Sequence, residues 1–131
     1  MIVVDTSVLV DLLLLRPNAS LIDARLFDGR NTLHAPHLID IEIAQVIRRF
    51  ARVGALEAER GREVLTDFAD LPLNRHTHEL LLRRVWELRH HLTAYDATYV
   101  ALAELLGATL LTKDSRIARA PGLRAAVEVI E

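Results

Sequence analysis

Three β-branched residues, Ile2 to Val4, end at Asp5, and a helix-patterned stretch, Ser7 to Leu15, follows without room for a hairpin turn. This step limits the fold most, because a strand that feeds straight into a helix returns to its sheet by a crossover, and crossovers join parallel strands. The pattern then repeats. Ala19 to Phe27 reads as a helix, Thr32 to Ala35 as a short strand, and His37 to Val53 as a helix that stops at Gly54. Ala55 to Ala69 is a second amphipathic helix, Leu71 to Leu73 a brief strand, and Thr77 to His91 a helix in which Glu79, Arg83 and Glu87 have i,i+4 spacing. Thr93 to Leu106 is helical and ends at Gly107, Thr109 to Thr112 is a strand, Asp114 to Arg119 a helical turn or two, and Val127 to Ile130 a last edge strand. The expected fold is an α/β three-layer sandwich, with a short, mostly parallel central sheet of four or five strands flanked by helices.

Composition narrows the chemistry. At 131 residues, 51% of them hydrophobic and with no linker or repeat, residues 1–131 are expected to form a single domain. Sixteen Lys+Arg against eighteen Asp+Glu give a net charge of −2, so the chain as a whole does not attract a polyanion and any such partner is held locally. The absence of cysteine removes disulfide scaffolds, thiolate nucleophiles and Cys-ligated metals. Leu12 to Leu15 is far shorter than a membrane span, and no basic segment precedes it, so no membrane partner and a cytoplasmic setting are expected. Of the basic residues only Lys113 is lysine, a skew that nothing in the sequence explains.

In an open parallel sheet, ligands bind beyond the carboxyl ends of the strands. Asp5 ends the first strand, Asp114 lies two residues beyond the strand ending at Thr112, and Asp96 falls in the first turn of the helix leading into that strand. On a wheel of about 100° per residue, Glu42 lies at the margin of the stripe made by Ile39, Ile43, Val46, Ile47 and Phe50. Capping is an alternative for three of these acids: Asp5 at the first helix, Thr93 with Asp96 as a capping box, and Asp114 as an N-cap. Glu42 has no capping role, and a carboxylate beside an apolar face is costly unless neutralised. Four converging carboxylates suit Mg²⁺ or Mn²⁺, ions that support phosphodiester hydrolysis.

The segments that carry these acids also resemble a known family. Met1 to Ser7, Ile41-Glu42-Ile43-Ala44 with Arg48-Arg49 after it, Ala94 to Ala103, and Leu110 to Asp114 together resemble the PIN domain, and within it the VapC-type toxins of toxin–antitoxin pairs. The likeness spans essentially the whole chain. It implies a metal-dependent endoribonuclease in which Asp5, Glu42, Asp96 and Asp114 bind Mg²⁺ or Mn²⁺, while Thr6 and Thr112 hydrogen-bond the acids. It implies as partners an RNA substrate, a VapB-like antitoxin and a second copy of the chain. Two readings stand beside it: a non-catalytic PIN-like binding module, and a metal-dependent phosphatase with a similar acidic site. A receiver domain would need an aspartate near Leu73-Asn74-Arg75, and a haloacid-dehalogenase phosphatase would need one where Ser7 stands.

Other residues carry less. Arg48, Arg49, Arg116 and Arg119 flank the acids and are candidate contacts to RNA phosphates, with ordinary surface ion pairs as the alternative. Arg52 extends the same helix. Tyr95 and Tyr99 read as packing residues, and Asp11, Asp23 and Asp28 as solvated helix charges. Asp40 lies about 160° round the helix from Glu42 and is not expected at the metal. The pairs His76/His78 and His90/His91 do not share helix faces and lack a third ligand. Ile41 and Val64 add apolar surface to two helices that one core need not cover in full.

Overall fold

The computed structural model describes residues 1–131. Its strands are β1 (Ile2–Val4), β2 (Leu33–Pro36), β3 (Leu73–His76), β4 (Thr109–Thr112) and β5 (Val127–Val129). All are parallel, in the order β3-β2-β1-β4-β5. The helices are α1 (Thr6–Leu13), α2 (Ala19–Phe27), α3 (Leu38–Arg52), α4 (Ala58–Asp70), α5 (Leu82–Glu87), α6 (Ala94–Leu106) and α7 (Ser115–Arg119), with a 3₁₀ turn at Glu79–Leu81 before α5. The five-stranded parallel sheet flanked by helices is the α/β fold that the strand-to-helix steps demand. No helix is long and apolar enough to cross a membrane.

The core follows from the strand at the centre. Successive strand residues point to opposite faces, and Ile2, Val3 and Val4 are all buried, so β1 is covered on both sides. Helix α6 crosses β1, β2 and β4, and α1 packs on β4 and against α2 and α3. The pair α3 and α4 closes tightly at Gly61, where a Cβ would sit 3.1 Å from Ile47. Helix α6 starts with Thr93 Oγ1 accepting from the Asp96 amide at 3.1 Å and stops at Gly107, whose φ of +63° suits a residue without a side chain.

Three local expectations need correction. The long helix expected over Thr77 to His91 is a 3₁₀ turn plus the six residues of α5. There the anchors are buried Leu81 and Leu88, Arg84 turns inward to Glu104, and Arg83, expected between Glu79 and Glu87 at i,i+4 spacing, makes no ion pair. The third strand runs over Leu73–His76 rather than Leu71 to Leu73, because Leu71 closes α4 and an edge strand can carry polar residues such as Asn74 and Arg75. The side of α6 bearing Ala97, Ala101 and Glu104 reads from the sequence as the exposed face of that helix, yet it is withdrawn from solvent, since Leu81 and α5 cover it. Val64 is a core residue, whereas Ile41 is exposed.

Candidate active site

Strand order reverses at β1, with β2 and β3 on one side and β4 and β5 on the other. The crevice beyond the carboxyl ends of β1 and β4 is therefore the place to look for a ligand. A cavity of about 570 Å³ opens there, lined by Asp5, Thr6, Ser7, Asp11, Lys113 and Asp114 among others. A second groove shares Thr6 with it and carries Glu42.

Asp5 stands at the N-cap position of α1, yet its side chain makes no capping bond. The carboxylate, in a residue only 8% exposed, is turned instead to hydroxyls. Thr112 Oγ1 donates to Asp5 Oδ2 at 2.7 Å and Ser7 Oγ donates to the same oxygen at 3.0 Å, leaving Oδ1 without a side-chain donor. Thr112 also accepts from the Asp114 amide at 3.1 Å, so one hydroxyl ties the ends of β1 and β4 together. Glu42, on α3, is held in the same manner. Thr6 Oγ1 donates to Glu42 Oε1 at 3.0 Å, Tyr99 OH donates to it at 2.6 Å, and Oε2 stays free. The two hydroxyls lie 2.9 Å apart.

Electrostatics connects the acids. Burial raises the Asp5 carboxyl above its ordinary value, with the Glu42 charge adding to it and the Thr112 and Ser7 hydroxyls pulling it partway back. Burial also raises Asp96, helped by the charges of Asp5 and Asp114. Asp5, Glu42 and Asp96 form no ion pair with any Lys, Arg or His. Asp114 differs. It caps α7 through the Arg116 amide at 2.9 Å and receives the Arg116 guanidinium at 3.0 and 2.8 Å, which holds its carboxyl below the ordinary value. No three acids close around one point as they stand; they form a chain linked by charge from Glu42 through Asp5 and Asp96 to Asp114. Such an open, all-oxygen set fits Mg²⁺ or Mn²⁺, which keep several waters and use a few carboxylates.

The model of the PIN domain matches residues 2–123. The chain belongs to the PIN domain family. Ribonuclease VapC1 of Mycobacterium tuberculosis is 40% identical to this PIN domain over 129 residues, covering 98% of this chain and 96% of that protein. Ribonuclease VapC9 of the same organism is 45% identical over 94 residues, 72% of this chain and 74% of that protein. Among solved structures, VapBC2 from Rickettsia felis, bound to a DNA fragment from their promoter, superposes over 98% of each chain with a TM-score of 0.74 at 18% identity, a likeness of fold.

Sequence reasoning missed four participants in this PIN domain, one of them Ser7, whose hydroxyl bonds Asp5. Tyr99 reads as a packing residue because it sits in an apolar row, but its hydroxyl reaches Glu42; the i,i+3 relation to Asp96 was the available signal. Asp11 is buried rather than solvated, because α1 aims it at the end of β4, where Lys113 pairs with it and Asn18 Nδ2 donates to it at 2.9 Å. The lone lysine thus reaches the rim of the acidic cavity. Among the arginines, Arg116 is engaged with Asp114, whereas Arg48, Arg49 and Arg119 are exposed and make no ion pair. Asp40 lies outside the cluster, bonded to Arg75 at 2.7 Å.

Proposed function

We propose that this PIN domain is the toxin of a type II toxin–antitoxin pair, an endoribonuclease that hydrolyses RNA phosphodiester bonds at Asp5, Glu42, Asp96 and Asp114. One observation carries the assignment of the site: Asp5, Glu42 and Asp96 are linked by charge at the switch point of the sheet, Asp5 among them buried, and none of the three forms an ion pair with a cationic side chain. That arrangement costs stability unless a cation completes it. Metal dependence accompanies VapC nucleases of this family, and the hard oxygen donors here select Mg²⁺ or Mn²⁺. When bound, such an ion lowers the pKa of a coordinated water and offsets charge on the reacting phosphate.

The chain's own residues supply the positioning. Thr112 and Ser7 fix one oxygen of Asp5, and Tyr99 and Thr6 fix one oxygen of Glu42, which leaves the second oxygen of each acid without a side-chain donor and open to a ligand. Pre-set ligands of this kind need no reorganisation when charge develops. Arg48, Arg49, Arg116 and Arg119 provide guanidinium groups for RNA phosphates, Arg116 by turning from Asp114 to the substrate. A VapB-like antitoxin silences the site, and the chain pairs as a homodimer.

Purified chain, freed of antitoxin, is expected to cut RNA in Mg²⁺ or Mn²⁺, to stop in chelator, and to be inert as Asp96→Ala. Intact tRNA, rRNA and mRNA pools after incubation with the wild type refute the assignment.

A further inference from the structure

The groove that carries Glu42 continues away from the acids between α3 and the start of α6, enclosing about 300 Å³. Its walls have a definite chemistry. On α3, Ile41 and Gln45 stand one turn apart, with Arg49 a further turn along, and Tyr95 faces them from α6. Ile41 is 70% exposed and Tyr95 62% exposed. Neither the Tyr95 ring nor its hydroxyl has an aromatic, cationic or hydrogen-bonded partner in the protein, and Gln45 and Arg49 spend their donors on no other side chain. An aromatic plane and an aliphatic side chain flanking a slot, with an amide and an unpaired guanidinium beside it, suit a flat π-system joined to an anion.

Tyr95 immediately precedes Asp96, and the groove shares Glu42 and Thr6 with the cluster. Whatever occupies it is therefore adjacent to the bond being cut. We infer that Tyr95 and Ile41 form a nucleobase subsite in which one unpaired base of the RNA inserts beside the cleaved phosphate, while Arg49 takes a neighbouring phosphate and Gln45 meets the base edge. Single-stranded regions offer such a base; paired regions keep it stacked. Tyr95 is thereby a specificity residue, distinct from the acids that hold the cation. The inference rests on the endoribonuclease reading.

The test is fluorescence anisotropy of end-labelled oligoadenylate, oligouridylate and abasic ribose-phosphate dodecamers titrated with the full chain in Ca²⁺, alongside single-turnover cleavage in Mn²⁺. Wild type is expected to bind the base-bearing dodecamers more tightly than the abasic one. Tyr95→Ala is expected to weaken the base-bearing dodecamers about tenfold, within the range found when stacking aromatics are truncated, and to leave the abasic one unchanged. Tyr95→Phe keeps the preference. Arg49→Ala weakens all three alike and flattens the salt dependence. Tyr95 is at the surface, so its variants keep the fold, which circular dichroism verifies. Wild-type discrimination in Tyr95→Ala, with cleavage intact, overturns the subsite alone, and if that variant at the same time loses capture of a VapB-like protein, the groove docks a protein instead of a base. A wild type that neither binds nor cuts RNA overturns the subsite together with the nuclease reading.

Discussion

Helix α6 carries two acids withdrawn from water, and the protein treats them in opposite ways. Near its C-terminal end, Glu104 has a side chain only 9% exposed, and it is fully answered: Arg84 donates at 2.7 and 3.2 Å and the Arg124 amide at 2.7 Å. Arg84 in turn donates to the Gly122 carbonyl at 2.7 Å, so one ion pair binds α5, α6 and the loop before β5. At the N-terminal end of the helix, Asp96 is half-buried among other acids and forms no ion pair, the nearby Arg116 charge offsetting the like charges only in part. The N-terminal helix dipole eases its charge by only a fraction of a kcal/mol, about 0.3–1. A fold that neutralises one buried acid so completely has left the other cluster open for a ligand of opposite charge.

The largest expected effect comes from emptying the open end. Asp96→Asn is expected to lower RNA cleavage at least about hundredfold, the scale of losing one pre-set electrostatic group at a reacting centre. Its thermal midpoint in chelator should equal or exceed that of the wild type, since the substitution removes a like charge from Asp5 and Asp114. Single-turnover cleavage and a thermal melt on the same preparation test both halves. A variant that is inactive because it is less stable would make the two ends of α6 alike and remove the contrast.

Glu104→Gln is the reverse experiment. It leaves Arg84, whose side chain is 17% exposed, with only the more distant Glu87 carboxylate at 3.8 Å, and the expected loss is about 2–3 kcal/mol of stability, the worth of a charged hydrogen-bonded pair. Cleavage per folded molecule should be unchanged. Urea denaturation read against activity separates the two, and a variant that loses activity while keeping its stability would place Glu104 in the working site.

Much of this contrast was legible in the sequence, and the illegible part has a common cause. The strand ends fix where Asp5 and Asp114 lie, and the wheel places Glu42 at a buried margin, because strand and helix periods are local properties. The partner of Glu104 is 20 residues away, and the bond between Tyr99 and Glu42 spans 57, separations at which periodicity carries no information. The same holds for Asp11 with Lys113 and for His34 Nδ1 with His76 Nε2 at 2.9 Å, which pair across β2 and β3 rather than along the chain. α5 was misjudged for a related reason: its helical signal is real, but Leu81, Arg84 and Leu88 are claimed by neighbours that the sequence does not order.

A smaller effect tests the hydroxyls that hold the open acids. Tyr99→Phe keeps the ring in the core and removes the 2.6 Å bond to Glu42 together with the 2.9 Å hydroxyl contact to Thr6. The lost bond to a carboxylate corresponds to about 1.5 kcal/mol, roughly a tenfold drop in cleavage. The drop should appear in kcat rather than in KM, as expected where the hydroxyl orients a group and does not bind RNA. If Tyr99→Phe cleaves as the wild type does, Thr6 alone positions Glu42.

The smallest effect is in the pH dependence of the metal-free chain. Asp5 and Asp96 have folded-state values above the ordinary 3.8, so just above that value the folded chain holds more protons than the unfolded chain. Stability therefore falls as pH rises through this window, and the deficit persists at neutral pH. Asp114 acts in the opposite sense, because its depressed value contributes stability above the window that is lost only when pH falls through that value. The difference between Asp5→Asn and wild type isolates one member of the cluster: the variant should be the more stable at about pH 7 and should converge on the wild type as pH approaches about 4. Saturating Mg²⁺ or Mn²⁺ should reverse the order at neutral pH, because a cation that binds only the folded wild type stabilises it by mass action. Parallel stability curves across that range, with or without the ion, would mean that Asp5 is as well answered as Glu104.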